Sequence, residues 1–162
     1  MSKWQDLFLF LIFFNALCKK TVMKRRKARE YALQMLFQLD FNSEKPGEGF
    51  YASFWHPLDE PDDVRAFAER IVEGTVDHQE EIDSIIRRHA ENWVLERMAL
   101  VDRNVLRAAA YELLYEKDTP PAVVINEALE IAKKFSMKES SAFINGILDK
   151  IAKSERKAES SN

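Results

Sequence analysis

The chain has 162 residues, 46% of them hydrophobic and 31% charged, with a formal net charge of −3. That is enough for one domain with a real core, and a total so close to neutral does not advertise a nucleic-acid binder, so any such role must rest on where the charges lie. One cysteine, Cys18, excludes an internal disulfide and a cysteine-built zinc site and suits a reducing, cytoplasmic compartment. Scarce glycine (4) and proline (5) amid abundant helix formers favour an all-α fold.

Residues 1–22 stand apart from the rest. The apolar run "LFLFLIFF", Leu7 to Phe14, is far shorter than the roughly 20 residues that cross a bilayer. As a secretory signal it fits poorly: Lys3 is offset by Asp6, no A-x-A site follows, and "NALC" only loosely echoes a lipoprotein cleavage box. A basic run follows, which tends to hold such a segment on the cytoplasmic side. Three readings compete: upstream sequence read in frame ahead of a start at Met23, a signal or anchor, and a genuine extra helix. The first is preferred, which makes 1–22 an extension outside the native fold and the protein one without a membrane role. Setting aside that segment, with its Lys3, Lys19, Lys20 and Asp6, leaves 21 basic against 26 acidic residues, a net charge of −5.

The first helix presents Ala28, Tyr31, Ala32, Met35 and Leu39 on one face and ends in the turn-forming "NSEKPGEG". The aromatic stretch "FYASFWHPLDEPDD" lacks clean periodicity and reads as a short helix or a long packed connection. After Pro61 a second helix carries Val64, Phe67, Ala68, Ile71 and Thr75, with Gly74 loosening its end. Asp77 and Glu80 have the spacing of a capping box, ahead of Ile82, Ile86, His89 and Trp93 on one face. Asp102 reads as the N-cap of a helix with Leu106, Ala109, Ala110, Leu113 and Leu114 inward. Thr119 is placed to cap the next, whose first position takes a proline without loss, with Ile125, Ala128, Leu129 and Ala132 inward and Lys133 and Lys134 at its favourable end. Ser140 or Ser141 opens the last helix, which buries Ile144, Ile147, Leu148 and Ile151. Gly146 within it suggests close approach by another backbone. The end, 154–162, is polar and expected to fray. No stretch alternates with period two, so six or seven helices form one compact domain.

Catalytic and metal-binding patterns are missing. His56, His78 and His89 share no metal-ligand spacing, and neither a glycine-rich phosphate loop nor a nucleophile elbow occurs. Acidic pairs such as Asp62–Asp63 and Glu80–Glu81 sit near helix starts, where compensation of the helix dipole explains them. No enzyme activity, cofactor or metal is expected.

The unusual feature is "MKRRKAREYALQMLFQLD", Met23 to Asp40. Lys24, Arg25, Arg26, Lys27 and Arg29 crowd the start of a helix, where positive charge is unfavourable by about 0.3–1 kcal/mol at low salt. Arg25 and Arg29, four apart, project on one side. A local reversal of sign in an acidic chain suggests an anionic partner: nucleic acid ahead of a membrane surface, with a merely solvated helix end as the plain alternative.

"RRKAREYALQMLFQLD", "DRNVLRAAAYELLY", "PPAVVINEALEIAKKF" and "SAFINGILDKIAK" together resemble the NusB family of bacterial transcription antitermination factors, in the correct order from Met23 to about Lys153. The resemblance implies two small helical bundles packed at an angle over residues 23–153, and no catalysis or cofactor. It implies binding of boxA RNA together with NusE, a small ribosomal subunit protein, within an RNA polymerase elongation complex that resists termination on ribosomal RNA operons. Some members of the family form homodimers. The RNA-facing positions it implies are Lys24, Arg25, Arg26, Lys27 and Arg29, with Glu139 and Phe143 at the start of the last helix. Partner-facing positions are expected at Asp102, Tyr111 and Glu112. Two other readings remain: a scaffold that binds only protein, and a stand-alone relative of the helical module found fused to RNA methyltransferases.

Overall fold

The computed structural model describes the backbone of residues 3–160 and the side chains of residues 20–154. Among these residues the fold is entirely helical: α1 (Lys3–Asn42), α2 (Glu48–Trp55), α3 (Asp62–Asp77), α4 (Gln79–His89), a 3-10 turn (Leu95–Arg97), α5 (Leu100–Tyr115), α6 (Pro121–Phe135) and α7 (Ser140–Ser160). The apolar run Leu7–Phe14 lies outside the described side chains, as does the tail beyond residue 154. Among the described residues no helix is long and apolar enough to cross a membrane.

Helix α5 is the hub, packed against α1, α3, α4, α6 and α7. Its sequence explains why: Val105, Leu106, Ala109, Ala110 and Leu113 are buried, and so are the polar Asn104, Arg107 and Glu112. A helix buried on most sides has no polar face to offer water, and small residues let its neighbours approach. The expected inward positions of α1, α3, α5 and α7 join one core, with Ala28, Ala32, Met35, Ile71, Leu106, Ile144 and Ile151 almost wholly enclosed. An N-terminal set, α1 on α3, and a C-terminal set, α5 to α7, meet along α5.

Several local expectations are corrected. α1 is helical upstream of Met23, so the basic residues sit within a helix and not on its first turn. Asp77 ends α3, and α4 begins at Gln79 without a side-chain cap, so no capping box forms. Trp93 lies beyond the end of α4. Pro120 occupies the N-cap of α6 and Thr119 precedes it. Gly74 does not loosen α3, which continues to Asp77. Its missing side chain makes room for the ring and hydroxyl of Tyr111, which would overlap any Cβ placed there. Gly146 has nothing within 4 Å of that position, so no backbone approaches it.

Candidate nucleic-acid interface

The five cations of α1 divide by the helix face they occupy. Arg29 points inward: its side chain is 7% exposed and donates two hydrogen bonds to the buried Glu112 carboxylate, at 2.8 and 2.7 Å. Arg26 turns toward α6 and forms a two-pronged pair with buried Glu127, both bonds 2.7 Å. Lys24 meets Asp63 at the start of α3, 3.2 Å away, and Lys27 meets Glu60 at 2.5 Å. The Lys27 ammonium is the main reason that the Glu60 carboxyl is held below its ordinary range. Arg25 is exposed and has no acidic partner among the described residues. Its guanidinium lies 5.5 Å from the centre of the Phe67 ring, a cation–π contact.

Arg25 and Arg29 do project on one side, since Arg29 also lies over Phe67, at 5.2 Å. Burial separates their roles. Arg29, expected from the sequence to face RNA, is sealed against Glu112, so a phosphate reaches it only by displacing a buried carboxylate. Arg25 opens on a shallow cleft of about 420 Å³ between α1 and α3, lined also by Lys20, Lys24 and Arg70, with Asp63 as its acid. Arg70 comes from α3 and ties to Glu116 at 3.0 Å. Lys20 was set aside with residues 1–22, and Arg70 was not identified from the sequence, because the approach of α3 to α1 leaves no local pattern. On the other flank Lys134 of α6 reaches Glu30 of α1 at 2.6 Å, so exposed Lys133 and Lys134 extend the positive surface toward the end of α6.

Beyond α6 the surface becomes aromatic. Phe143 is half-buried in the first turns of α7, and Glu139 is exposed just before that helix. The start of α7 is fixed by Asp102, which accepts hydrogen bonds from Ser136 at the end of α6 and from Ser140, the latter at 2.8 Å. Asp102 therefore joins three helices and is not the N-cap of α5, which is Ala99. Tyr111 packs against Gly74, and its hydroxyl donates to Glu116 at 3.2 Å. Asp102, Tyr111 and Glu112 are all buried. These three, expected from the sequence to face a protein partner, make their contacts inside the fold.

At the opposite end of α1 lies a groove of about 880 Å³ between Leu36–Pro46 and the α3–α4 corner. Its walls carry Glu44, Asp77, Glu80 and Glu81 against one lysine, Lys45, so its sign opposes that of the α1–α3 cleft. At its floor Asp40 accepts from Arg103 (2.8 Å), Asn104 (3.0 Å) and Arg107 (3.1 Å), and Arg107 continues to Asp83 at 2.7 Å. Burial alone would raise the Asp40 carboxyl, but the hydrogen bonds from Arg103 and Asn104 and the nearby guanidinium charges outweigh it and hold it below its ordinary value. Among the described residues no group of His, Cys, Asp and Glu is arranged to hold a metal ion.

The family model of the NusB family matches residues 26–153. The chain belongs to the NusB family. The transcription antitermination protein NusB of Thermodesulfovibrio yellowstonii is 48% identical over 142 residues, covering 82% of this chain and 94% of that protein. The solved structure of T. maritima NusB has 41% identity and a TM-score of 0.71, covering 80% of this chain and 90% of its own. A crystal structure of antitermination factors NusB and NusE in complex with dsRNA has 32% identity and a TM-score of 0.73, covering 82% and 98%. NusB proteins are transcription antitermination factors and not enzymes, and the ion-paired surface described above is built on a NusB fold.

Proposed function

We propose that this protein binds boxA-type single-stranded RNA jointly with a NusE partner and so helps RNA polymerase resist termination, chiefly on ribosomal RNA operons. The observation that carries the reading is the NusB–NusE complex with dsRNA, whose NusB fold this chain matches over 82% of its length. The exposed cations Lys24, Arg25 and Lys27, with Arg26 beside them, meet the phosphates. Neutralising phosphates releases counterions, which makes such binding salt-sensitive. Phe143 supplies an aromatic face for an unstacked base, and Glu139 beside it opposes the phosphates and moderates affinity. The acid-walled groove at the far end of α1 suits a basic partner, which would also offset the acidic balance that weakens RNA binding by this chain alone.

Fluorescence anisotropy of a labelled boxA-type oligoribonucleotide tests the reading, with the protein alone, with NusE, and with a double-stranded RNA of equal length. Weak binding alone and strong binding of the single strand once NusE is added is the expected result. Equal affinity for the double strand would favour recognition of RNA shape over bases. No RNA binding in any mixture, with NusE still captured, would leave a scaffold that binds only protein.

A further inference from the structure

Trp93 is a large aromatic residue that the fold pushes outward. The spacing Ile82, Ile86, His89, Trp93 would place it on the apolar face of α4 had that helix continued. Instead α4 stops at His89, and Asn92 turns the chain with φ of 65°, a left-handed conformation that asparagine tolerates better than most residues. The Trp93 amide donates to the Ala90 carbonyl at 3.0 Å. On either side Ala90 and then Leu95 and Met98 are buried. The backbone is thus pinned at both ends of the turn, while the Trp93 side chain stands 59% exposed. Tryptophan is usually much more enclosed than this.

Its one ring neighbour among the described residues is Phe143, with centroids 4.7 Å apart and planes at 48°. Phe143 lies one turn past Ser140, which the Asp102 clamp fixes to α5 and α6. Two aromatic rings from separate, anchored segments therefore form one rigid platform. Along the chain the platform follows the cations at the end of α6: Lys134 is bound to Glu30 of α1, and α7 starts after four residues.

We propose that Trp93 is a second base-stacking residue, taking an unpaired base of single-stranded RNA next to the one on Phe143. This rests on the RNA-binding reading given above and extends it to a residue outside the basic strip and outside α7. Stacking needs a flat, preorganised and accessible π-face and is tolerant of base identity. The indole is exposed and held beside Phe143, whose ring is tilted at 48° to it. Because stacking neutralises no phosphate, Trp93 contributes affinity without contributing to salt dependence.

The test measures affinity for a labelled boxA-type single-stranded oligoribonucleotide in the presence of NusE, across ionic strengths, for the parent, Trp93→Ala, Trp93→Leu and Trp93→Phe. Helical circular dichroism confirms that each variant is folded. Trp93→Ala and Trp93→Leu are expected to weaken binding by about 5- to 150-fold with the salt slope of the parent, and Trp93→Phe to keep most of the affinity. Leucine is the decisive variant, since it still packs on Phe143 but presents no ring. Parental affinity in Trp93→Leu would overturn the proposal and leave Trp93 as packing for Phe143. A loss of NusE capture with RNA affinity unchanged would overturn it in favour of a protein contact. If the parent itself fails to bind RNA with NusE present, the RNA-binding reading falls and the proposal with it; if only the Trp93 variants match the parent, that reading stands and the proposal alone is lost.

Discussion

Near its C-terminal end α1 carries one acid, Asp40, which gathers Arg103, Asn104 and Arg107 into a closed network that continues to Asp83. Earlier in the same helix five cations fan out toward α3, α5 and α6, and four of them find acids of quite different burial. Glu112 and Glu127 are enclosed, whereas Asp63 is largely exposed. A cluster of like charges in sequence is therefore not one functional unit. The helical period distributes it over the faces of α1, and each face meets its own environment. Where cation and acid are both buried, as in Arg29–Glu112, the cation belongs to the fold, because an ion pair removed from water is held tightly and is costly to break on one side. Where the cation is exposed, its pair is weak and screened, and a phosphate can compete for it.

The largest expected effect follows from the inward member of the cluster. Arg29→Ala leaves Glu112 as an unpaired buried carboxylate and should lower stability by about 3–5 kcal/mol, read as a reduced urea midpoint. Any loss of RNA affinity should be explained by the unfolded fraction. A variant as stable as the parent would show that the Arg29–Glu112 pair does not hold the fold and would break the contrast between inner and outer cations.

A smaller effect is expected at the other end of the helix. Asp40→Asn removes a charged acceptor from three donors and should cost about 1.5–3 kcal/mol near neutral pH. The carboxyl is held below its ordinary value of 3.8, so the folded state binds fewer protons there than the unfolded state. Its stabilisation is complete above the ordinary value and is lost as pH falls through the lower folded one. Acid titration of stability should therefore start lower for Asp40→Asn and fall less steeply below about pH 4. Parallel curves would mean that Asp40 does not carry the acid sensitivity of this network.

Much of the core was legible beforehand because it depends on one period. Ala28, Ala32, Met35, Leu106, Ala110, Ile144 and Leu148 follow the helical repeat and are buried as that repeat requires. The ends of elements were less so. Asp77, Asp102 and Thr119 have cap-forming side chains, yet the helices start at Gln79, Leu100 and Pro121, because tertiary partners such as Ser136 and Ser140 engage Asp102 instead. Gly74 and Gly146 show the same limit: which glycine is needed depends on whether another helix brings a ring such as Tyr111 against it. The charged strip was visible as composition, but its division was not. Arg29 and Arg25 differ only by one turn in the sequence, and only the arrival of α5 with Glu112 tells them apart.

The most direct measurement of the division between fold-holding and RNA-gripping cations is the salt dependence of RNA affinity in Lys24→Ala/Arg25→Ala, with NusE present, since Lys24 leaves behind only the exposed Asp63. Each lost phosphate contact to a single strand should reduce the slope of log K against log salt by about 0.7 in magnitude, so the double variant should be flatter by about 1.4 and its thermal unfolding should match the parent. An unchanged slope, with affinity retained at every ionic strength, would contradict the account and take the exposed cations of α1 out of the RNA interface.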